Sequence, residues 1–300
     1  MTTTASIPQS ANEFIEQQLD ERATALGAPD AFDGDVMGFC GSLVIGVDDL
    51  IRTAVENMRQ LPDHRDKLVV VLTTTGGYVE VVKRIAETLR HHYKTVDFIV
   101  PNHAYSGGTI LVMSGDAIHM NYYSRLGPID PQVETPGGKH VPALGYLIQW
   151  ERLLEKAQQG KLTTVEASLM VDGFDQAELF QFEQARELSV ELLKDWLATY
   201  KFKNWKRTET RKIPVDKKMR VQRAEEVARK LNKAEKWHVH GYGISMEVLR
   251  RDLKLKIEDF DENPVCGAKV KNYHGLLDDY MGRRGNQGVL HTVGHYVPFM

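Results

Sequence analysis

Cysteines and long apolar runs are scarce in this chain. It has two cysteines among 300 residues, Cys40 and Cys266, which is too few for a disulfide framework. No apolar run approaches the roughly 18 residues that a membrane-spanning helix requires. Residues 1–10 lack the basic start and the apolar stretch of a signal peptide. We therefore expect a soluble, cytoplasmic protein with no membrane contact, in which Cys40 is a buried thiol.

An excess of charge of one sign is also absent. The chain carries 38 basic and 41 acidic side chains, a formal net charge of -3, which gives no electrostatic reason to expect bulk binding of nucleic acid. One basic run with interleaved aromatic side chains lies at residues 201–212. It could contact an acidic partner or RNA, but Glu209 dilutes it and a solvated helix end is the favoured interpretation. We expect no nucleic-acid partner.

The spacing patterns of cofactor sites are missing as well. The sequence has no glycine-rich phosphate loop, so ATP hydrolysis would have to come from a partner such as an unfoldase, which nothing in the sequence implies. His238 and His240 would face one side of a strand, but the other histidines are scattered without ligand spacing. We expect no cofactor and no metal site, and we assign His240 a structural role.

What the sequence does contain is a succession of strand, turn and helix, used twice. The first apolar run, residues 68–72, ends in the turn TTTGG, and residues 79–91 follow with helical spacing. The second run, residues 96–100, ends in PNHAYSGGT and leads into another apolar helical stretch. Such units build a mostly parallel sheet with helices on its faces. Both glycine turns fall at the carboxyl ends of neighbouring strands, where open α/β sheets place their ligands.

Ser106 stands in the second of these turns and has two interpretations. It is a small hydroxyl residue after a buried strand, and Gly107 and Gly108 would let a substrate approach the backbone closely. A serine nucleophile requires this setting, with N–H donors nearby for the developing oxyanion and a base within reach. Serine is also a favoured helix N-cap, and N-cap serines greatly outnumber nucleophiles. The local chemistry alone leaves both interpretations open.

The chain divides by pattern into three parts. Residues 1–34 contain one helical stretch, 11–26, and we expect them to form an N-terminal helical arm. Residues 35–260 are expected to form the α/β domain, with a helical insertion at about 143–232. Residues 261–300 contain many glycines and are predicted to be an irregular tail.

Several motifs, in order, resemble the ClpP/crotonase superfamily and specifically its serine peptidases. Residues 36–60 resemble the first strand and helix, and TGGYV at 75–79 resembles the Gly-Gly turn of these proteins. AYSGGT at 104–109 resembles the nucleophile turn of signal-peptide peptidase A and its relatives. LGPIDPQ at 126–132 looks like the serine dehydrogenase proteinase family, and HGYGI at 240–244 is similar to its distal segment. Short motifs are weak singly but specific in the right order.

The resemblance implies an α/β fold of repeated ββα units with an added peripheral helical layer. It implies a serine-type peptidase that acts on peptides or proteins and assembles as a homo-oligomer. Ser106 would be the nucleophile. The oxyanion would be held by the N–H of Gly107 and by an N–H of the turn formed by Gly76 and Gly77.

The general base is the least determined part of this site. No histidine stands in residues 126–132, where ClpP-like triads place theirs, so a triad is not supported. In related peptidases with a Ser–Lys dyad the lysine follows that loop, and Lys139 matches this position. A lysine base must be uncharged, which requires burial or a nearby cation. His140 and Lys156 are rival bases, and a histidine can act near neutral pH without a large pKa shift.

Two other functions remain open at this point. A crotonase-like acyl-CoA enzyme would use glycine-turn N–H groups to polarise a thioester and would place carboxylates beside them, although the serine flanked by glycines disfavours this. A non-catalytic assembly protein would keep the fold and lack a working base. Whether a base lies within reach of Ser106 separates this last alternative from the peptidase.

Overall fold

The computed structural model describes residues 10–129, 132–134, 140–208, 210–232 and 243–299. In chain order its elements are α1 (Ala11–Leu26), β1 (Asp35–Cys40), α2 (Val47–Gln60), β2 (Lys67–Thr73), α3 (Val79–His92), β3 (Thr95–Ile99), β4 (His103–Ala104), α4 (Gly107–Val112), β5 (Ala117–Met120), β6 (Arg125–Leu126), β7 (Gln132–Glu134), β8 (His140–Pro142), α5 (Ala143–Gln158), α6 (Thr164–Gly173), α7 (Gln176–Trp196), a π-helical turn (Leu197–Lys201), α8 (Lys217–Leu231), β9 (Ile244–Ser245), α9 (Met246–Asp252), β10 (Glu258–Asp259), α10 (Pro264–Arg283), β11 (Val289–Thr292) and β12 (His295–Pro298).

The core is a seven-stranded sheet with the strand order β10-β5-β3-β2-β1-β11-β12. Neighbouring strands from β10 to β1 are parallel, whereas β11 pairs antiparallel with both β1 and β12. The register places Gly38 of β1 opposite Val71 of β2, and Val70 opposite Phe98 of β3. β1 and β2 are buried over nearly their whole length, as expected for parallel strands whose two faces are both covered.

A short strand or bridge and then a helix follow each of the first three long strands. After β1, Leu43 forms a bridge with Gly77 before α2 begins, and after β2, Thr74 forms a bridge with Ala104 before α3 begins. β3 is followed by β4 and α4 in the same way. The predicted fold class, an α/β fold of repeated ββα units, is confirmed.

The chain folds as two compact units, residues 1–126 with 243–300, and residues 127–242. The first contains the seven-stranded sheet, and the second contains helices α5 to α8. The chain leaves the first unit after β6 and returns to it at β9, and these two strands pair antiparallel. The second unit therefore includes more residues than the insertion predicted at about 143–232. Its ends are set by the pairing of β6 with β9, which the amino-acid composition does not reveal.

Residues 261–300 do not form the predicted irregular tail. α10 begins after Asn263, whose side chain accepts the N–H groups of Val265 and Cys266. Buried side chains recur along it at helical spacing: Cys266, Val270, Tyr273, Leu277 and Tyr280. Gly275 and Gly282 have open space beside them, so these glycines lie off the packed face and do not interrupt it. β11 then adds to the central sheet beside β1.

The N-terminal helix is also part of the core. The buried side chains of Leu19, Ala23 and Leu26 in α1 join one apolar cluster with Tyr273 and Leu277 of α10. The expected N-terminal arm is therefore a helix packed on its own unit. Among the described residues, none of the helices combines the length and the apolar character needed to cross a membrane.

Candidate active site

The chain turns sharply between β4 and α4, and Ser106 lies in this turn. The Gly108 N–H donates to the Tyr105 carbonyl over 2.8 Å, which closes a four-residue turn with Ser106 at its second position. Ser106 has φ 50° and ψ -118°, in the half of the backbone map where residues other than glycine are rare. Residues held in such conformations cost about 1–3 kcal/mol each and cluster at active sites. Asp33, Lys212 and Lys254 also have positive φ, but of these four residues Ser106 is the one that lies in the glycine-flanked turn after β4.

The hydroxyl of Ser106 does not cap the helix that follows it. Ser106 occupies the N-cap position of α4, but its side chain accepts no N–H there. Ser10 and Ser245, at the same position of α1 and α9, each accept the N–H three residues later. The N-cap interpretation of the Ser106 side chain is therefore wrong. Residues 107–112 are buried whereas Ser106 is half-buried, so Ser106 lies at the partly exposed start of a buried helix.

The turn that contains Gly76 and Gly77 lies directly against Ser106. A methyl group placed on Gly76 would come within 2.8 Å of Ser106 Cβ and 3.1 Å of Gly107 N. Gly76 has φ 107° and Gly77 has φ 155°, conformations that glycine adopts without a steric penalty. Space and conformation both require glycine at position 76. The structure thus brings together the four residues of the expected nucleophile and oxyanion site.

Backbone hydrogen bonds orient the N–H groups of this turn. The Gly76 carbonyl accepts the Leu43 N–H at 2.8 Å, and the C=O and N–H of a trans peptide point in opposite directions. The Gly77 N–H therefore points away from Leu43. A methyl group on Gly107 would lie 3.2 Å from Gly77 N, so this N–H borders the nucleophile turn. In the part of the chain that the structure describes, no acceptor receives the N–H of Gly77 or of Gly107.

The N–H of Gly76, the other glycine of this turn, already has an acceptor within the protein. The Gly76 N–H donates to Thr74 Oγ1 over 3.0 Å. Thr74 is buried, and its own backbone joins β4, because its N–H donates to the His103 carbonyl and its carbonyl accepts the Tyr105 N–H, both at 3.0 Å. Sequence reasoning missed this residue. Its visible signal is a threonine two positions before a glycine, where hydroxyls often accept a backbone N–H.

The structure describes the candidate bases to different extents. Lys139 lies outside the described residues, and His140 lies in β8. His238 and His240, which were considered for a metal site, also lie outside the described residues. Lys156 has a half-exposed side chain, and its Nζ lies 2.5 Å from Glu166 Oε1. This contact, together with hydrogen bonds from Thr163, lowers the pKa of Glu166 to about 2. The Lys156 amine is thus engaged by a carboxylate.

A pair of histidines lies at the same end of the sheet and was not anticipated. His274 Nε2 contacts Thr73 Oγ1 at the end of β2 over 2.9 Å, and the ring of His103 stacks on that of Tyr105 with 4.8 Å between centroids. Burial lowers the pKa of both histidines, and the carboxylate of Asp278 opposes this. Within the described part of the chain, no group of three His, Cys, Asp or Glu side chains could hold a metal ion.

Two uncharacterised proteins of Methanocaldococcus jannaschii are similar to parts of this chain. The protein MJ1495 is 30% identical over 126 residues, which make up 42% of this chain and 38% of that protein. The protein MJ0137 is 39% identical over 70 residues, which make up 23% of this chain and 24% of that protein. The matched stretches span less than half the length of either relative.

Two solved structures of a 1510-N membrane-bound stomatin-specific protease also match. A lysine-to-alanine mutant in complex with a substrate peptide has 13% sequence identity and a TM-score of 0.44, covering 88% of this chain and 84% of that one. A serine-to-alanine mutant has 15% identity and a TM-score of 0.31, covering 53% of this chain and 82% of that one.

The model of one protein family matches most of this chain. The match extends over residues 37–232 of the 300, and it includes both glycine turns and Ser106. The chain therefore belongs to the family of ClpP-like SDH-type serine proteinases.

Proposed function

We propose that this protein is a serine peptidase that cleaves peptides or proteins through an acyl-enzyme formed on Ser106. One observation carries the proposal: Ser106 is held at positive φ beside two N–H groups, of Gly77 and Gly107, that donate to no described acceptor. The absence of side chains on these glycines leaves room for a substrate carbonyl to approach. Membership of a serine proteinase family supports the same chemistry.

In the first half of the proposed reaction, Ser106 Oγ attacks the carbonyl carbon of the scissile peptide while its proton passes to the base. Negative charge develops on the carbonyl oxygen, and the N–H groups of Gly77 and Gly107 donate to it. Loss of one donor of this kind lowers kcat by about 10²–10³-fold in serine proteases. The C–N bond then breaks and the amine leaves with the proton from the base. Water hydrolyses the ester by the same steps and regenerates Ser106.

We propose Lys139 as the base, with His140 as its alternative. A lysine acts as a base only when it is uncharged, so burial or a neighbouring cation must favour that form. Lys156 is the weakest candidate because of its ion pair with Glu166. The variants Lys139→Ala and His140→Ala, compared in the labelling assay below, separate the two bases, since only removal of the true base slows labelling.

The proposal is tested by labelling the purified protein with a fluorophosphonate serine probe. We expect wild type to be labelled on Ser106 and Ser106→Ala to be unlabelled, with peptide cleavage reduced by at least about 10³-fold. Ser10→Ala is the matched control, because it removes a hydroxyl that does cap a helix and should leave labelling unchanged. Labelling or cleavage by Ser106→Ala at the wild-type rate would overturn the proposal.

The acyl-CoA alternative requires carboxylates beside the oxyanion donors. We consider it less favoured, because a serine that lies between two glycine turns suits a nucleophile. The homo-oligomer and the cytoplasmic location stay predictions, and we propose no unfoldase partner.

A further inference from the structure

Thr74 lies between the two turns of the proposed site and contacts both. Its side chain is almost completely buried, at 2% exposure. Its hydroxyl accepts the Gly76 N–H, while its backbone pairs with His103 and Tyr105 on the strand that leads to the nucleophile. Its methyl group fills the space that a side chain on Gly108 would need. One residue therefore joins the glycine turn to the nucleophile turn.

The hydroxyl of Thr74 binds one of the two N–H groups of the glycine turn, that of Gly76. Gly76 and Gly77 both have positive φ, and glycine has more accessible backbone conformations than any other residue. The turn therefore needs external contacts to hold one conformation. Thr74 Oγ1 holds the Gly76 N–H at 3.0 Å, and the Leu43 N–H holds the Gly76 carbonyl at 2.8 Å. These two contacts fix the peptide planes on both sides of Gly76.

We propose that Thr74 is a positioning residue for the oxyanion site. Its hydroxyl fixes the peptide between Thr75 and Gly76. This helps to orient the next N–H, that of Gly77, toward the position of the developing oxyanion. This inference rests on the proposed function of Ser106. Thr74 itself touches no reacting atom and acts through Gly76 and Gly77.

The neighbouring hydroxyl, that of Thr75, has a different partner. Thr75 is exposed, and its Oγ1 lies 3.3 Å from Ser42 Oγ, whereas the Gly76 N–H points to Thr74. Removing the Thr74 hydroxyl would leave the Gly76 N–H buried without its acceptor. Buried donors rarely stay unpaired, so we expect the peptide between Thr75 and Gly76 to rotate. The Leu43 N–H would then be the one remaining of these two contacts, and the orientation of the Gly77 N–H would be less well fixed.

The kinetic test compares Thr74→Val, which loses only the hydroxyl, with Thr74→Ser, which keeps it. We expect Thr74→Val to lower the fluorophosphonate labelling rate and the peptidase kcat by about 10–10²-fold, up to the effect of losing one oxyanion donor, with KM nearly unchanged. Thr74→Ser should stay close to wild type. Thr292→Val is the matched control, since Thr292 is equally buried but lies in β11.

The second measurement does not depend on activity. Hydrogen exchange of the Gly76 amide, followed by NMR in protein labelled with ¹⁵N-glycine, should accelerate in Thr74→Val and stay slow in Thr74→Ser. If wild type is not labelled by the probe, the proposed function fails, and the Gly76 exchange still decides whether Thr74 fixes the turn.

Two results would overturn the inference. One is wild-type labelling and wild-type Gly76 exchange in a folded Thr74→Val. If Thr74→Val does not fold, Thr74→Ala and Thr74→Ser are compared instead, and the second overturning result comes from this comparison. Equal activity in these two variants would show that the hydroxyl has no positioning role, whereas recovery of activity in Thr74→Ser alone would support it.

Discussion

Asp97 of β3 carries a carboxylate that is 5% exposed and is held by several contacts. Its Oδ2 lies 2.7 Å from Lys67 Nζ, and its Oδ1 accepts the Ala117 N–H at 3.1 Å. His119 Nε2 lies 3.6 Å away, beyond hydrogen-bond distance, so Lys67 supplies the direct contact. Burial by itself would raise the pKa of Asp97, but His119 and Lys67 more than offset it and lower the pKa to about 2.

This lowered pKa predicts how stability depends on pH. Because the folded protein holds Asp97 ionised below its ordinary pKa of 3.8, the carboxylate stabilises the fold above about pH 4. That contribution, about 2 kcal/mol, is lost as the pH falls to about 2. Urea unfolding should therefore show Asp97→Asn less stable than wild type by about this amount at pH 7, with the difference shrinking between pH 4 and pH 2. A difference that is constant over this range would contradict the prediction.

The matched control is Asp63→Asn, on an exposed loop. Substitutions at such positions usually change stability by less than about 0.5 kcal/mol.

The residues of the candidate site differ in how far sequence could predict them. Ser106 and the glycines follow from local rules, since a turn after a buried strand needs small residues and exposes backbone N–H groups. Which glycine N–H is unused depends on Leu43 and Thr74. Leu43 contacts the turn because its backbone pairs with that of Gly77 in a β-bridge. Tertiary pairing of this kind leaves no periodic trace in the sequence.

At the scale of elements, β1 and α10 fit together through a glycine. A methyl group on Gly38 would overlap the hydroxyl of Tyr273, which contacts His291 Nδ1 over 2.8 Å. A glycine within a strand usually weakens it, but here it admits an aromatic side chain from the helix. The helical spacing of apolar residues along α10 was available in the sequence. The tight fit against β1 was not, because it joins segments from opposite ends of the chain.

The packing of α10 predicts a large effect of cavity formation. Leu277 is 0% exposed and lies in the main apolar cluster with α1 and β1. We expect Leu277→Ala to lower the free energy of unfolding by about 2–5 kcal/mol, measured by urea denaturation. Val265→Ala, on an exposed position of the same helix, should change it by less than about 1 kcal/mol. Equal effects of the two substitutions would show that α10 is not part of the core.

At the scale of the whole molecule, the second unit is inserted at the tip of a hairpin. β6 and β9 pair antiparallel, with Leu126 opposite Ile244, and they belong to one three-stranded sheet with β4. The 127–242 unit therefore leaves and re-enters the first unit at adjacent backbone positions. The strands β10 to β12, which complete the central sheet, accordingly come after this unit in the chain.

This junction predicts that the first unit folds without the second. Residues 127–243 can be replaced by Asn-Gly, because this dipeptide favours the two-residue turns that connect antiparallel strands. We expect the shortened chain to unfold in one cooperative transition, followed by circular dichroism. Leu277→Ala should destabilise it as much as it destabilises the full chain, since the same core is present. Gradual, non-cooperative melting of the shortened chain would contradict the prediction.

The position of β1 between β2 and β11 has a consequence for synthesis of the protein. Ribosomes make a chain from its N-terminus, so β1 and α1 emerge first. β11, which covers the edge of β1, and α10, which covers the apolar face of α1, are made later. An open strand edge and an uncovered apolar face invite association with other chains. The nascent protein therefore exposes this strand edge and this apolar face through most of translation, and a product released before residue 289 would lack β11, which covers the edge of β1.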